Sequence, residues 1–260
     1  MTSFIPTFAH AHVTRDERHV YTVTIRDAKS RNILSSAVTL SVTDAVRWVA
    51  AQADARALVF RGDGERAFIG GADIHEMAAL EPQSAREFIT RLRGLCDALA
   101  SVPVPTIARI RGFCLGGGLE VAAACDIRLG SNDAVFGMPE VRVGIPSVIH
   151  AVLLPALIGP GATNWLLLTG ENVDAGQALR WGFLQFVSEP EELDELVERT
   201  VQPIVAAGPR AVRAQKSLLR YWRDASPEAG IDRSVDAFGD AFTTDEPSRY
   251  MEPFLSRRNR

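Results

Sequence analysis

Lysine is nearly missing from this sequence: Lys29 and Lys216 are the only two among 28 basic residues, the rest being arginine. Cysteine is scarce too, with Cys96, Cys114 and Cys125 alone in 260 residues. Three is too few, and odd in number, for a disulfide framework, and their spacing matches no zinc pattern. They read as small buried apolar residues, and no metal site is expected. No stretch approaches the roughly 20 apolar residues of a membrane-spanning helix. Residues 1–12 carry neither a secretory leader nor an Arg-rich transit segment, so a cytoplasmic protein without a membrane partner is predicted. Charge of one sign is not in excess either. The 32 acidic residues leave a net charge of −4, and the arginines are scattered among acids rather than gathered into the basic stripe that nucleic acid requires.

What remains is the composition of a self-sufficient globule, 47 % hydrophobic and 23 % charged, at a length that suits one domain with at most a small appendage. Residues 19–26 alternate apolar and polar as a strand does, and residues 57–60 and 106–110 read as short buried strands. Between them, residues 36–53 carry a valine face, and residues 85–100 carry Phe88, Leu92, Leu95 and Leu99 at helical spacing. A glycine-rich segment opens a further helix that runs to about residue 125, followed by a strand at 126–130. The last third reads as helices at 151–168, 174–182, 193–206, 210–222 and 227–242; Lys216 in the fourth reads as a surface charge, and Ile231, Val235, Phe238 and Phe242 make an apolar stripe on the fifth. An α/β core followed by a helical region is therefore predicted.

Gly112-Phe113-Cys114-Leu115-Gly116-Gly117-Gly118-Leu119-Glu120 is the strongest local signal. Strand, glycine loop and helix follow one another, which lets a ligand approach bare N–H groups at the positive end of a helix dipole. That suits a phosphate or an oxyanion; a tight strand-to-helix turn is the plainer reading. No Lys-Ser/Thr follows the last glycine and the dinucleotide spacing is missing, so neither nucleotide-loop motif applies. Gly70-Gly71-Ala72-Asp73 offers a second patch of approachable backbone, or a simple turn. Two such patches could pair their N–H groups around one oxygen. Glu120 and Glu140 both sit among apolar neighbours. Burial would raise their pKa values and equip them to hold or deliver a proton. Taken singly, Glu120 could merely complement the helix dipole and Glu140 could face solvent. His75 and His150 have no nucleophile or ligand partner beside them in sequence and read as solvated or core histidines. No G-x-S-x-G elbow is present.

Together these pieces resemble the enoyl-CoA hydratase (crotonase) superfamily over most of the chain. Ala67-Phe68-Ile69-Gly70-Gly71-Ala72-Asp73-Ile74-His75-Glu76-Met77 is similar to the family's A-F-x-x-G-A-D-x-x-E-M. Gly112 to Ala122 is similar to G-x-x-x-G-G-G-x-E-L-A, Cys125-Asp126-Ile127 to C-D-I, and Phe136 to Glu140 to F-x-x-P-E. Leu168-Thr169-Gly170 with Ala175 and Ala178 is similar to L-T-G-x-x-x-x-A-x-x-A. The resemblance implies a spiral of β-β-α units over residues 1–195 and a helical oligomerisation region over 196–260, assembled as a trimer or a dimer of trimers. It implies that the N–H groups of Ala72 and Gly117 hold a thioester carbonyl, and that Glu120 and Glu140 are the two hydratase glutamates. Ala72, Asp73, Ile74, His75 and Gly117 would line the acyl-CoA site. Lys29, Ser30 and Arg31 would contact CoA phosphates, and Phe254 would cover CoA bound to a neighbouring subunit. Coenzyme A would arrive with the substrate, and no other cofactor is implied. The implied activity is hydration of a 2-enoyl-CoA to a 3-hydroxyacyl-CoA. The alternatives are an enoyl-CoA isomerase or another chemistry on the same oxyanion hole, such as thioester hydrolysis, decarboxylation or ring opening. A non-catalytic CoA- or RNA-binding scaffold is the remote one.

The sequence departs from the family pattern in one segment. Where the family continues from the second glutamate with G-x-I-P-G-A-G-G-T-Q, this chain reads Gly144-Ile145-Pro146-Ser147-Val148-Ile149-His150, one residue shorter before the Ile-Pro pair. Ser147 retains a backbone N–H at the place where the family positions water. Val148 and Ile149 are expected to reshape the acyl pocket.

Overall fold

In the computed structural model, which describes residues 4–26 and 31–256, the predicted alternation resolves into two sheets. The larger has six strands in the order β1 (Ala11–Arg15), β2 (Val20–Ile25), β3 (Ala57–Gly62), β5 (Thr106–Ile110), β7 (Ile127–Ser131) and β10 (Phe186–Ser188). The smaller has four, β4 (Ala67–Ile69), β6 (Phe113–Leu115), β8 (Val135–Gly137) and β9 (Asn172–Asp174). β1 and β9 pair antiparallel with β2 and β8, and every other pairing is parallel. Successive pairs β3–β4, β5–β6 and β7–β8 each send one strand to the large sheet and the next to the small one. The chain therefore winds as the expected spiral of β-β-α units. The small-sheet strands of three residues each are absent from the sequence-based reading, because three residues are too few to show a period.

Helices α1 (Ser36–Ala50), α3 (Pro82–Ser101) and α4 (Gly117–Ala124) pack inside this spiral, and a single turn, α2 (Ile74–Met77), precedes α3. Ser35 caps α1 by accepting the Val38 N–H. Glu81 and Ser84 form a capping box at the start of α3, with Pro82 at its first position. The predicted stripe Phe88, Leu92, Leu95 and Leu99 is buried, and each such side chain contributes about 1.5–3 kcal/mol of transfer free energy. α4 lies so close to β4 that a Cβ on Gly118 would stand 2.5 Å from the Ile69 carbonyl oxygen. Only glycine permits this approach, which brings the start of α4 beside the residues that follow β4.

The rest of the chain adds α5 (Leu154–Thr169), α6 (Ala175–Arg180), α7 (Leu193–Ala206), α8 (Pro209–Trp222), α9 (Pro227–Ala241) and α10 (Glu246–Ser256). The expected boundary after residue 195 falls inside α7, whose Leu193, Leu196 and Val201 are buried against Val20, Val59, Ile107 and Leu129 of the large sheet. Ile231, Val235, Phe238 and Phe242, the predicted stripe of the 227–242 helix, face outward in the single chain.

Two expectations are corrected here. The segment 149–169 is, by length and composition, apolar enough to cross a membrane. It is a 3₁₀ turn joined to α5, broken by non-helical Gly159 before Pro160, and it buries Leu154, Ile158, Thr163 and Leu166. Lys216, read from sequence as a surface charge in a helix, is buried on α8. Its ammonium donates to the Val104 carbonyl at 2.8 Å and pairs with Asp126 at 2.7 Å, tying α8 to the core. Removing one partner of a buried pair leaves the other charge uncompensated, so Lys216→Met is expected to lower stability by about 3 kcal/mol. Urea denaturation would read this as a fall in the midpoint with an unchanged slope.

Candidate active site

Segments from four parts of the spiral surround one apolar cavity of about 650 Å³. The segment after β4 contributes Gly71, Ala72 and Ile74, and the loop into α4 contributes Gly116, Gly117 and Glu120. α3 contributes Phe88, Ile89 and Leu92, and the stretch after β8 contributes Glu140, Val143, Ile145 and Val148.

Backbone geometry positions the first two segments. Asn32 adopts a positive φ of 53°, and its buried amide donates to the carbonyls of Ala67 and Asp63. This pins residues 32–34 against the start of β4. Leu34 then bridges to Ala72: its N–H donates to Gly71 O and its carbonyl accepts from Asp73 N. In that parallel bridge the N–H of Ala72 points away from Leu34. Gly117 is the first residue of α4, so its N–H has no acceptor within the helix. Ala72 and Gly117, from separate segments, both line one cavity. Gly116, with φ 52° and ψ −123°, makes the sharp entry into α4. A Cβ there would lie 2.6 Å from Glu140 Oε1.

The two glutamates meet in the same cavity. Glu120 is 3 % exposed, and its Oε1 accepts the Ala151 N–H at 3.0 Å. Burial pushes its carboxyl up to about 8; the Ala151 N–H opposes this and the nearby Glu140 charge adds to it. Glu140 stands in the 3₁₀ turn Pro139–Val143, and its Oε2 accepts from the Ser147 hydroxyl at 3.0 Å. Burial raises its pKa as well, against the lowering pull of its own backbone and of Ser147. One loop therefore supplies a donor to each carboxylate. Ile149 within that loop holds φ at 36°, a left-handed conformation that costs a β-branched residue on the order of 1–2 kcal/mol. The buried Ala151 and Leu154 that follow hold it there.

Of the residues expected at the site, Ala72, Ile74, Gly117, Glu120 and Glu140 line the cavity. Asp73 instead caps α2, accepting from the N–H groups of His75 and Glu76, and His75 faces solvent. Arg31 is exposed, with its carbonyl accepting the Gly70 N–H; Lys29 and Ser30 lie outside the described residues. Phe254 is 72 % exposed on α10, away from the cavity. Val148 lines the cavity as expected, whereas Ile149 packs against the core. His150 is half-buried with Nε2 3.4 Å from Asp97. Ser147 and Ala151 were not legible as partners of the glutamates, because their contacts span 7 and 31 residues. Phe88 and Leu92 were legible only as an apolar stripe. Among the described residues, no group of His, Cys, Asp and Glu is placed to hold a metal ion.

The family described as Enoyl-CoA hydratase/isomerase matches residues 15–260. A crotonyl-CoA hydratase of Syntrophomonas wolfei is 33 % identical over 247 residues, 95 % of each chain. A short-chain-enoyl-CoA hydratase of Clostridium acetobutylicum is 32 % identical over the same share. The crystal structure of an enoyl-CoA hydratase of Mycobacterium smegmatis superposes with a TM-score of 0.92 at 28 % identity, covering 95 % of this chain and 96 % of that one. The crotonase-like fold expected from the motifs is thus the fold of this chain.

Proposed function

The chain belongs to the enoyl-CoA hydratase/isomerase family, and on that footing we propose that it adds water to a 2-enoyl-CoA thioester. The observation that carries the reading is the pair Glu120 and Glu140 on one apolar cavity that Ala72 and Gly117 also line. Hydration needs two proton-handling groups and a holder for the enolate. In this reading the thioester carbonyl oxygen sits between the N–H groups of Ala72 and Gly117. Attack of water on C3 sends the C2=C3 electron pair toward that oxygen, where donors aimed at the developing charge lower the barrier. Glu120, ionised, orients the water and takes one of its protons. Glu140, protonated, delivers a proton to C2. The product gains OH at C3 and H at C2, and one return transfer through solvent restores both carboxyls. Coenzyme A enters and leaves as part of the substrate.

The second reading, isomerisation of a 3-enoyl-CoA, needs one carboxylate to move a proton between C4 and C2, so the presence of Glu120 beside Glu140 favours hydration. A panel of 2-enoyl-CoAs from four carbons upward, followed by loss of the conjugated-thioester absorbance, tests the proposal. Turnover with products heavier by one water is expected; a folded protein inert to the whole panel would sink it. A 3-enoyl-CoA in deuterated water separates the isomerase. The apolar lining by Phe88, Ile89, Leu92 and Val148 suits an unsubstituted hydrocarbon acyl chain.

The pH dependence follows from Glu120. A base must be ionised, and this carboxyl is pushed up to about 8. The proposed step needs one carboxyl ionised and the other protonated, so kcat/KM, which reports the free enzyme, is expected to be bell-shaped, falling about tenfold per pH unit above the value of about 8 at which the pair loses its last proton and falling again where both carboxyls are protonated. A profile that stays level from about pH 8 to 10 would remove the protonated carboxyl, and with it the paired roles, from the mechanism.

A further inference from the structure

We propose that Ser147 is a positioning residue for Glu140: its hydroxyl occupies Oε2 and so assigns the transferable proton to Oε1. The proposal rests on the hydratase reading for its kinetic consequence, but its geometry stands independently of it. Ser147 Oγ donates to Glu140 Oε2 at 3.0 Å. The other oxygen, Oε1, lies over Gly116, so close that a Cβ there would stand 2.6 Å away. Gly116 and Glu140 both border the cavity, as do Gly117 and Pro146, the residue before Ser147. The two oxygens of Glu140 are thus in different surroundings. One is engaged by a hydroxyl donor from the 145–151 segment, and the other faces the glycine entry of α4.

The chemistry follows from what a carboxyl can do. In the acid form one oxygen is a carbonyl and accepts, while the other carries the proton and donates. A hydroxyl donating to Oε2 favours the tautomer with the carbonyl there, leaving the proton on Oε1. In the ionised form the same hydroxyl makes a charge-assisted bond, which is stronger than the neutral one, so Ser147 also draws the titration of Glu140 downward. The charged and polar groups around Glu140 include its own backbone N–H, Ser147, Glu120 across the cavity, whose titration is coupled to its own, and Arg86 at the cavity wall. Glu120 is held separately, by the Ala151 N–H of the same segment. A backbone donor can be removed only by proline, which would also disturb the turn, whereas the Ser147 hydroxyl can be removed alone, and this makes Glu140 the carboxylate that is open to a clean test.

The test uses infrared difference spectroscopy of the full chain as a function of pH. It is run in an E120Q background, so that Glu140 titrates without its coupled partner, and the Glu140 carboxylic-acid band is assigned by its loss in E120Q/E140Q. Adding S147A is expected to move the midpoint of that band upward by about one pH unit, and S147T to return it. With Glu120 intact, S147A is expected to lower kcat about tenfold and leave KM within about twofold, with S147T recovering the rate. A band midpoint unmoved by S147A overturns the proposal, even if kcat falls, because Ser147 then serves the loop alone. A shifted midpoint in a protein inert to every enoyl-CoA upholds the placement of the Glu140 proton and sinks only the hydratase reading.

Discussion

Replacing Glu120 by Gln is expected to lower kcat for enoyl-CoA hydration by on the order of 10³ while making the folded protein more stable at neutral pH. The two effects share one cause. Glu120 is buried on α4, and its carboxyl is pushed from an ordinary 4.5 up to about 8. The native state therefore binds its proton more tightly than the unfolded chain does. A group of that kind contributes stability below about pH 4.5, loses it as pH rises toward 8, and changes nothing further above. At pH 7 the loss amounts to on the order of 3 kcal/mol. Glutamine has the same shape and keeps an oxygen for the Ala151 N–H, but it has no proton to lose. The variant should match the wild type in urea near pH 4 and exceed it increasingly up to pH 8. Glu140→Gln is expected to cost activity to a similar degree. A near-normal rate in either variant would take that residue out of the mechanism. Equal stability of E120Q and wild type at pH 8 would show that Glu120 ionises freely in the native protein.

Gly116→Ala is expected to damage the site through both backbone and side chain. The φ and ψ of Gly116, 52° and −123°, belong to a region that L-residues avoid, and a strained residue of this kind costs on the order of 1–3 kcal/mol. The new methyl would also press on Glu140 Oε1 at 2.6 Å, which must swing aside. Displacing a proton donor by an ångström costs about 10² in rate, so kcat should fall by that order with a smaller change in KM. Thermal melting and steady-state kinetics on the same preparation would read both. A variant that melts early but turns over normally would show that Glu140 relaxes without consequence.

These outcomes depend on features that the sequence revealed unequally. The stripe of α3 was legible because a helix of twenty residues repeats its period several times. The glycine loop before Glu120 was legible because strand, glycines and helix are contiguous. The strands β4, β6, β8 and β9 were not, since three residues hold no pattern and their pairing is with distant chain. Glu120 and Glu140 could be picked out singly, yet their burial depends on four segments closing one cavity. Ser147 stood out only as a departure from the glycines expected there; what it touches is decided by the turn at Gly144, with φ 80°, which folds the loop back over Glu140. Lys216 was misread for the same reason. Charge argues for the surface, and only the fold brings Asp126 and Val104 to meet it.

The enclosure of Lys216 also bears on covalent damage. Thioesters acylate amines without any enzyme, provided the amine is deprotonated and can reach the carbonyl carbon. The Lys216 nitrogen is engaged by a carboxylate and a backbone carbonyl, with its side chain 5 % exposed. Guanidinium groups, which apart from Lys29 make up the rest of the basic complement, stay protonated and do not attack. Between residues 31 and 256 the chain offers a reactive acyl donor no accessible lysine. Prolonged incubation with an acyl-CoA should therefore leave that whole span unmodified by mass.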